Sequence, residues 1–137
     1  QRGGDAVTAP LLFDLAAERA VLGAVLADNA LLGAVLDHVT DADFFGQSCA
    51  ETFRAMLYHE ANGAPFDYVT VRATLGSAHE EQLLEIATAA VPGEEHAIQH
   101  ARIVHELAVR RRLQAIGRQL VGRAESAGQL PLEVAGG

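Results

Sequence analysis

The sequence predicts an all-α fold: a small helical bundle of about six helices, with a long projecting C-terminal helix that forms part of a helical hairpin. Three observations lead there. Half of the 137 residues are apolar, but there are only five Phe, two Tyr and no Trp. The core must then be mostly Ala, Val and Leu, a mix that suits helices better than strands. Helix start and stop signals recur along the first two-thirds of the chain. From residue 94 to residue 126 no proline interrupts, and Gly117 and Gly122 are tolerable inside a helix. The length supports one core and not two. The expected organisation is a flexible arm over 1–12, a helical head over 13–92, a long helix over 93–127 and a linker or truncated second arm over 128–137.

Asp14 can cap the first helix, with Leu15, Leu22, Val25 and Leu26 along one side. Asn29 starts a second, which uses Leu32, Val35, Leu36 and Val39. The stretch "DADFF" (41–45) reads as a short turn that plants two aromatics in the core. Ser48 and Glu51 have the spacing of a capping box, in which each side chain satisfies a backbone N–H of the other. Phe53 and Leu57 recur four apart on that third helix. Gly63 supplies the left-handed position that ends it, and Pro65 forbids its continuation. Asp67 can cap a brief helix that stops at Gly76. Ser77 and Glu80 repeat the capping-box spacing for a fifth, carrying Leu83, Leu84 and Ala87 and stopping before Pro92.

The last helix is the most informative. At ~1.5 Å per residue it is roughly 50 Å long, and a head of this size has a radius of gyration near ~13 Å, so it must project. In its first half Ala97, Ala101, Val104, Leu107 and Ala108 fall on one side. In its second half Val109, Leu113, Ile116 and Leu120 fall on nearly the opposite side. The apolar face changes sides around residues 109–111. One face serves the head, and the other must pack on something else. Spacings of four, three and four are those of a helix-packing stripe, so these four residues are the candidate self-association seam.

The net charge of −8 argues against non-specific binding to nucleic-acid backbone. Residues 107–124 nevertheless hold five of the ten Arg and no acid, leaving an acidic body and a basic arm. Arg110, Arg112, Arg118 and Arg123 are candidate contacts to an acidic partner or to a neighbouring subunit, with Arg112 and Arg123 flanking the seam and Arg118 pointing away. The plain alternative is a solvated helix face. No apolar run has the length of a membrane span and no signal peptide is visible. One cysteine, Cys49, cannot form an intramolecular disulfide and fits a reducing cytoplasm. The absence of an initiator Met suggests a piece of a longer product.

Catalytic signatures are missing: no G-x-x-x-x-G-K-[ST], no G-x-G-x-x-G after a strand, no H-E-x-x-H and no nucleophile elbow. With one Cys and no Lys, thiol and Schiff-base chemistry have little support. The best metal candidate is "HAIQH", in which His96 and His100 lie four apart behind Glu94 and Glu95. Two local ligands make a weak site, and packed or hydrogen-bonded imidazoles are the expectation. No catalytic, cofactor or metal residue is therefore assigned.

Three stretches together resemble a known family. "AERAVLGAVL" (17–26) is similar to the opening signature of the N-terminal domain of DnaB-family replicative helicases. "FRAMLYHEANGAPFDYVTVRATL" (53–75) resembles the second, with Gly63, Pro65, Asp67, Val69 and Thr70 in place. "ARIVHELAVRRRL" (101–113) resembles the third, with Ile103, Val104, Glu106 and Arg111 matching. The likeness spans about 14–127, and "GSAHEEQ" is shorter than the family's segment between the fourth and fifth helices. Cys49, His96 and His100 also depart from its usual residues, as in a divergent member. The resemblance implies a helical head followed by a hairpin, dimers through the hairpins, a hexameric collar and docking of primase there. It places ATP hydrolysis and translocation in a separate C-terminal motor domain. The rival readings are a free-standing regulatory or adaptor protein with the same fold, and a metal-dependent enzyme using the two histidines. A P-loop in the coding sequence downstream would separate helicase from regulator.

Overall fold

Helix α1 (Leu15–Ala27) has nine of its thirteen residues buried, so it runs through the middle of the head and not along its surface. A computed structural model describes residues 11–129. After α1, a 3₁₀ turn (Asn29–Leu31) runs into α2 (Leu32–Leu36), and a second 3₁₀ turn (Asp41–Asp43) leads to α3 (Gln47–Ala61). Then come α4 (Tyr68–Leu75), a third 3₁₀ turn (Ser77–His79), α5 (Glu80–Thr88) and α6 (Glu94–Gln129). Among the described residues there is no strand. The expected arm over 1–12 and tail over 128–137 lie outside them, apart from residues 11, 12, 128 and 129, the last two of which continue α6.

α1 packs on α5, α6 and α3, and α2 packs on the first half of α6. Gly23 makes the α1–α5 approach possible: a Cβ there would sit 3.0 Å from the Ala90 backbone nitrogen and would collide with the Ile86 carbonyl. Phe53, Leu22, Met56, Leu83, Ile86 and Val25 fill the centre without solvent access.

The local signals were partly right. Asp14 caps α1 through Ala17 N–H (3.0 Å), and Asp67 with Thr70 forms a capping box on α4. Gly63 takes φ +67, and the bonds Ala64 N–H to His59 C=O and Gly63 N–H to Glu60 C=O close α3 as a Schellman motif. Asn29 opens the second helical stretch, but Asp28 caps it. Asn29 instead ties α1 to the segment before α4, donating to the Val25 carbonyl and accepting from Phe66 N–H.

Other expectations are corrected. The Ser48–Glu51 box does not form: α3 begins at Gln47 with Gly46 as its cap and no capping side chain, and Ser48 Oγ hydrogen-bonds with His79 Nδ1 (2.9 Å). Nor does Ser77–Glu80: α5 starts after a 3₁₀ turn, and Glu80 pairs with Arg72 (3.3 Å). Phe44 enters the core but Phe45 does not, being half exposed. On α5 the inward residue beside Leu83 is Ile86, while Leu84 faces out, as does Leu36 on α2.

Candidate functional site

Two features of α6 carry the functional argument: the junction at which it leaves the head, and the stripe beyond it. Ala97, Ala101, Val104 and Ala108 are buried against the head. They are small, which lets α6 lie close to α1. After Ala108 no apolar residue of α6 is buried, and residues 113–127 are all exposed. At ~1.5 Å per residue the free half is more than 20 Å long.

The junction is built on Asp43, in the turn before α3, and its carboxylate is 2 % exposed. Oδ2 accepts from His105 Nδ1–H (3.0 Å) and from Thr40 N–H (3.1 Å). Oδ1 accepts from the Arg112 guanidinium. Arg111 donates to the Asp43 carbonyl (2.8 Å) and to the Leu12 carbonyl (2.7 Å). It also lies over the Phe45 ring at 5.3 Å, and Phe45 stacks on Phe13 with centroids 4.2 Å apart. Burial pushes the Asp43 carboxyl up, but the hydrogen bonds from His105, Arg112 and Thr40 outweigh it and hold the group below the ordinary aspartate range.

Just ahead of α3 a second buried acid holds the entering backbone. Glu18 of α1, 1 % exposed, accepts from Phe45 N–H (2.9 Å) and Gly46 N–H (3.0 Å). A negative charge suits a helix N-terminus. Beside it, burial pushes the Cys49 thiol up to about 12, with the Glu18 charge adding to the shift. Such a thiol stays protonated and makes a poor nucleophile.

The four stripe residues lie on one face of the projecting helix. Val109 is 37 % exposed, Leu113 62 %, Ile116 51 % and Leu120 62 %, and Val121 beside them is also exposed. The arginines divide into two groups. Arg110 pairs with Glu106 (3.4 Å) and Arg112 with Asp43, so both are already engaged within the chain. Arg118 and Arg123 have no ion-pair partner among the described residues.

His96 and His100 stack on each other with ring centroids 6.2 Å apart, and the His100 Nδ1 atom is buried without a hydrogen-bond partner. His100 is half-buried but His96 is exposed, so the expectation of packed or hydrogen-bonded imidazoles holds only for the packing of His100. Among the described residues no three His, Cys, Asp or Glu side chains gather as a metal site would need.

Asp43, His105 and Glu18 were not singled out in the sequence, whereas Arg112 was, as a contact to an acidic partner, and Arg111 as a position matching the family. Glu18 was detectable in principle, because an acid inside so apolar a helix must find a partner. Asp43 had one local sign, its capping-box spacing from Thr40, but its partners on α6 lie more than sixty positions away.

Residues 11–106 match the model of the DnaB-like helicase N-terminal domain. Over 105 residues the chain is 40 % identical to the replicative DNA helicase DnaB of Geobacillus stearothermophilus, covering 71 % of this chain and 23 % of that protein. Over 117 residues it is 33 % identical to the replicative DNA helicase DnaB of Mycobacterium leprae, covering 79 % and 19 %. The chain thus spans less than a quarter of these relatives. The crystal structure of the N-terminal domain of DnaB helicase from Mycobacterium tuberculosis is similar, with a TM-score of 0.76 at 29 % identity over 85 % of this chain and 88 % of that one. The N-terminal domain of DnaB helicase from Helicobacter pylori, described together with its interactions with primase, shares the fold with a TM-score of 0.72 at 19 % identity, over 80 % and 90 %. Among the described residues no helix is long and apolar enough to cross a membrane.

Proposed function

The chain belongs to the family of DnaB-like helicase N-terminal domains, and we propose that its work is assembly and docking, not catalysis. Copies associate through Val109, Leu113, Ile116 and Leu120 into a dimer and, within a full-length helicase, into a hexameric collar. The collar then presents the heads to primase. ATP hydrolysis and unwinding belong to a further domain of the parent protein, in keeping with the absence of a P-loop from these 137 residues.

The observation that carries this reading is the exposed aliphatic stripe on a helix that continues past its last buried residue. Covering each such side chain is worth roughly 1.5–3 kcal/mol, which supplies a drive for association. Primase is proposed from the Helicobacter pylori neighbour, and Arg118 and Arg123 are available for acids on a partner or on a second copy.

Sedimentation velocity tests the assembly. The wild-type chain is expected to form a dimer at micromolar concentration, and Ile116→Asp to sediment as a monomer with its helix content intact. A monomeric wild type, or a dimer indifferent to Ile116→Asp, would sink the seam and point to a second hairpin arm as its cover. Calorimetric titration with purified primase tests the docking, and the absence of binding by the wild-type assembly would remove it.

A further inference from the structure

We propose that Asp43 is a positioning residue that fixes the direction in which the second half of α6 leaves the head, gripping it through His105, Arg112 and Arg111. The proposal rests on reading the stripe as an assembly surface only for the purpose of the device. The geometry that carries it lies within one chain.

The first argument is where close packing stops. Ala108 is the last buried apolar residue of α6, and from residue 113 onward every position whose burial is described is exposed. Between these points Arg111 and Arg112 make the hydrogen bonds to the head, and Arg111 also covers the Phe45 ring. These are the last contacts that steady the helix beyond its packed half.

The second argument is how those bonds are spread. His105 and Arg112 are seven apart, two turns along one face of α6, and both reach the same carboxylate. One anchor that spans two turns resists tilt along the helix. Arg111 stands about a quarter-turn around from Arg112. It holds the Asp43 carbonyl, the Leu12 carbonyl and the face of Phe45, which resists movement in a second direction.

The anchor is buried, and both of its oxygens are engaged. A carboxylate this inaccessible is tolerated only with its lone pairs satisfied, and donors from His105, Arg112 and Thr40 supply that. An asparagine would fit the space but would turn an NH₂ group toward donors that already point inward.

The test measures direction apart from association. Spin labels are placed at Glu60→Cys on α3 and Gln119→Cys on the free half of α6, both exposed, while the native Cys49 is buried. An Ile116→Asp background removes the stripe, so the label distance is intramolecular. The parent is expected to give one narrow distance. Asp43→Asn and Arg112→Gln are expected to lose it to a broad distribution with unchanged circular dichroism, and Arg112→Lys, which keeps the charge, to recover much of the narrowness. Should Asp43→Asn unfold the head, Arg112→Gln decides, because half of the Arg112 side chain is in solvent and His105 and the Thr40 N–H stay on the carboxylate. Equal widths in parent and variants would overturn the proposal.

Without the background change, Asp43→Asn and Arg112→Gln should weaken self-association roughly tenfold, about 1.4 kcal/mol. Broad distances with unaltered association would overturn the positioning role. A wild-type chain that never associates removes the stripe reading, while the distance result still decides whether Asp43 sets the direction.

Discussion

The two halves of α6 are one continuous helix with opposite rules of composition. The half against the head buries Ala97, Ala101, Val104 and Ala108, while the half beyond it exposes Leu113, Ile116 and Leu120. A helix that served only its own core would show the reverse, with large aliphatic residues inside and small or polar ones outside. Small residues in the first half allow α6 to approach α1 closely. Large ones in the second half have nothing among the described residues to approach. The contrast teaches that burial within this chain accounts for the residues of the first half and not for those of the second, which fits the assembly surface proposed above.

The same kind of substitution in each half should therefore have opposite consequences. Ala101→Asp buries an unpaired charge between α6 and the head, and we expect a loss of roughly 4 kcal/mol of stability by urea denaturation. A loss below about 1 kcal/mol would mean that the first half is not the packed half. Ile116→Asp should leave monomer stability within about 0.5 kcal/mol while abolishing association in the sedimentation experiment. Destabilisation on the scale of Ala101→Asp would erase the distinction.

The boundary between the halves should itself respond to acid. The Asp43 carboxyl titrates below the ordinary aspartate value of 3.8 in the folded chain. A depressed group contributes stability that is fully present above 3.8 and is lost as pH falls through its folded value. The groups facing it are His105, Arg111 and Arg112 from α6 and the Thr40 N–H from its own turn. Asp37 and His38 line the cleft alongside. The label distance described above should stay narrow from neutral pH down to that value and broaden below it. Asp43→Asn should already be broad at neutral pH and show no such step. A parent whose distance stays narrow well below that value would show that the Asp43 charge is not the lock. The smallest effect is expected from Arg118→Gln with Arg123→Gln. Exposed charges of this kind contribute about 0.2–1 kcal/mol, so association should weaken slightly at low salt and not at all at high salt. An effect that persists in high salt would show these arginines to be buried in the assembly.

What could be read in the sequence follows the range of the interactions. Asp14, Gly63 and Asp67 act on neighbours three or four positions away, and each does what its local pattern says. The change of face along α6 was legible because helical periodicity is also local. The start of α3 was misread for the opposite reason. Ser48 and Glu51 have the right spacing, but Glu18, twenty-seven positions upstream of Phe45, satisfies the backbone there. The pair Phe44 and Phe45 was misread because successive side chains of an extended segment point to opposite sides. One enters the core, and the other is left to stack on Phe13 under Arg111. The Asp43 junction joins positions 62 to 69 apart, beyond the reach of any local pattern.

That α6 runs unbroken from Glu94 to Gln129 gives the junction a mechanical meaning. A continuous helix behaves as a stiff rod, so its free half is a lever with its fulcrum at Arg112. From there to Gln129 the arm is about 25 Å long, and a tilt of only ~10° carries its tip ~4 Å, nearly one helical turn. Leverage also works in the other direction. A pull of given size at the tip arrives at Asp43 as a torque equal to that pull times the length of the arm. On the positioning role proposed for Asp43, a load taken up at Leu120 or beyond reaches it through His105 and Arg112 at its carboxylate and Arg111 at its carbonyl.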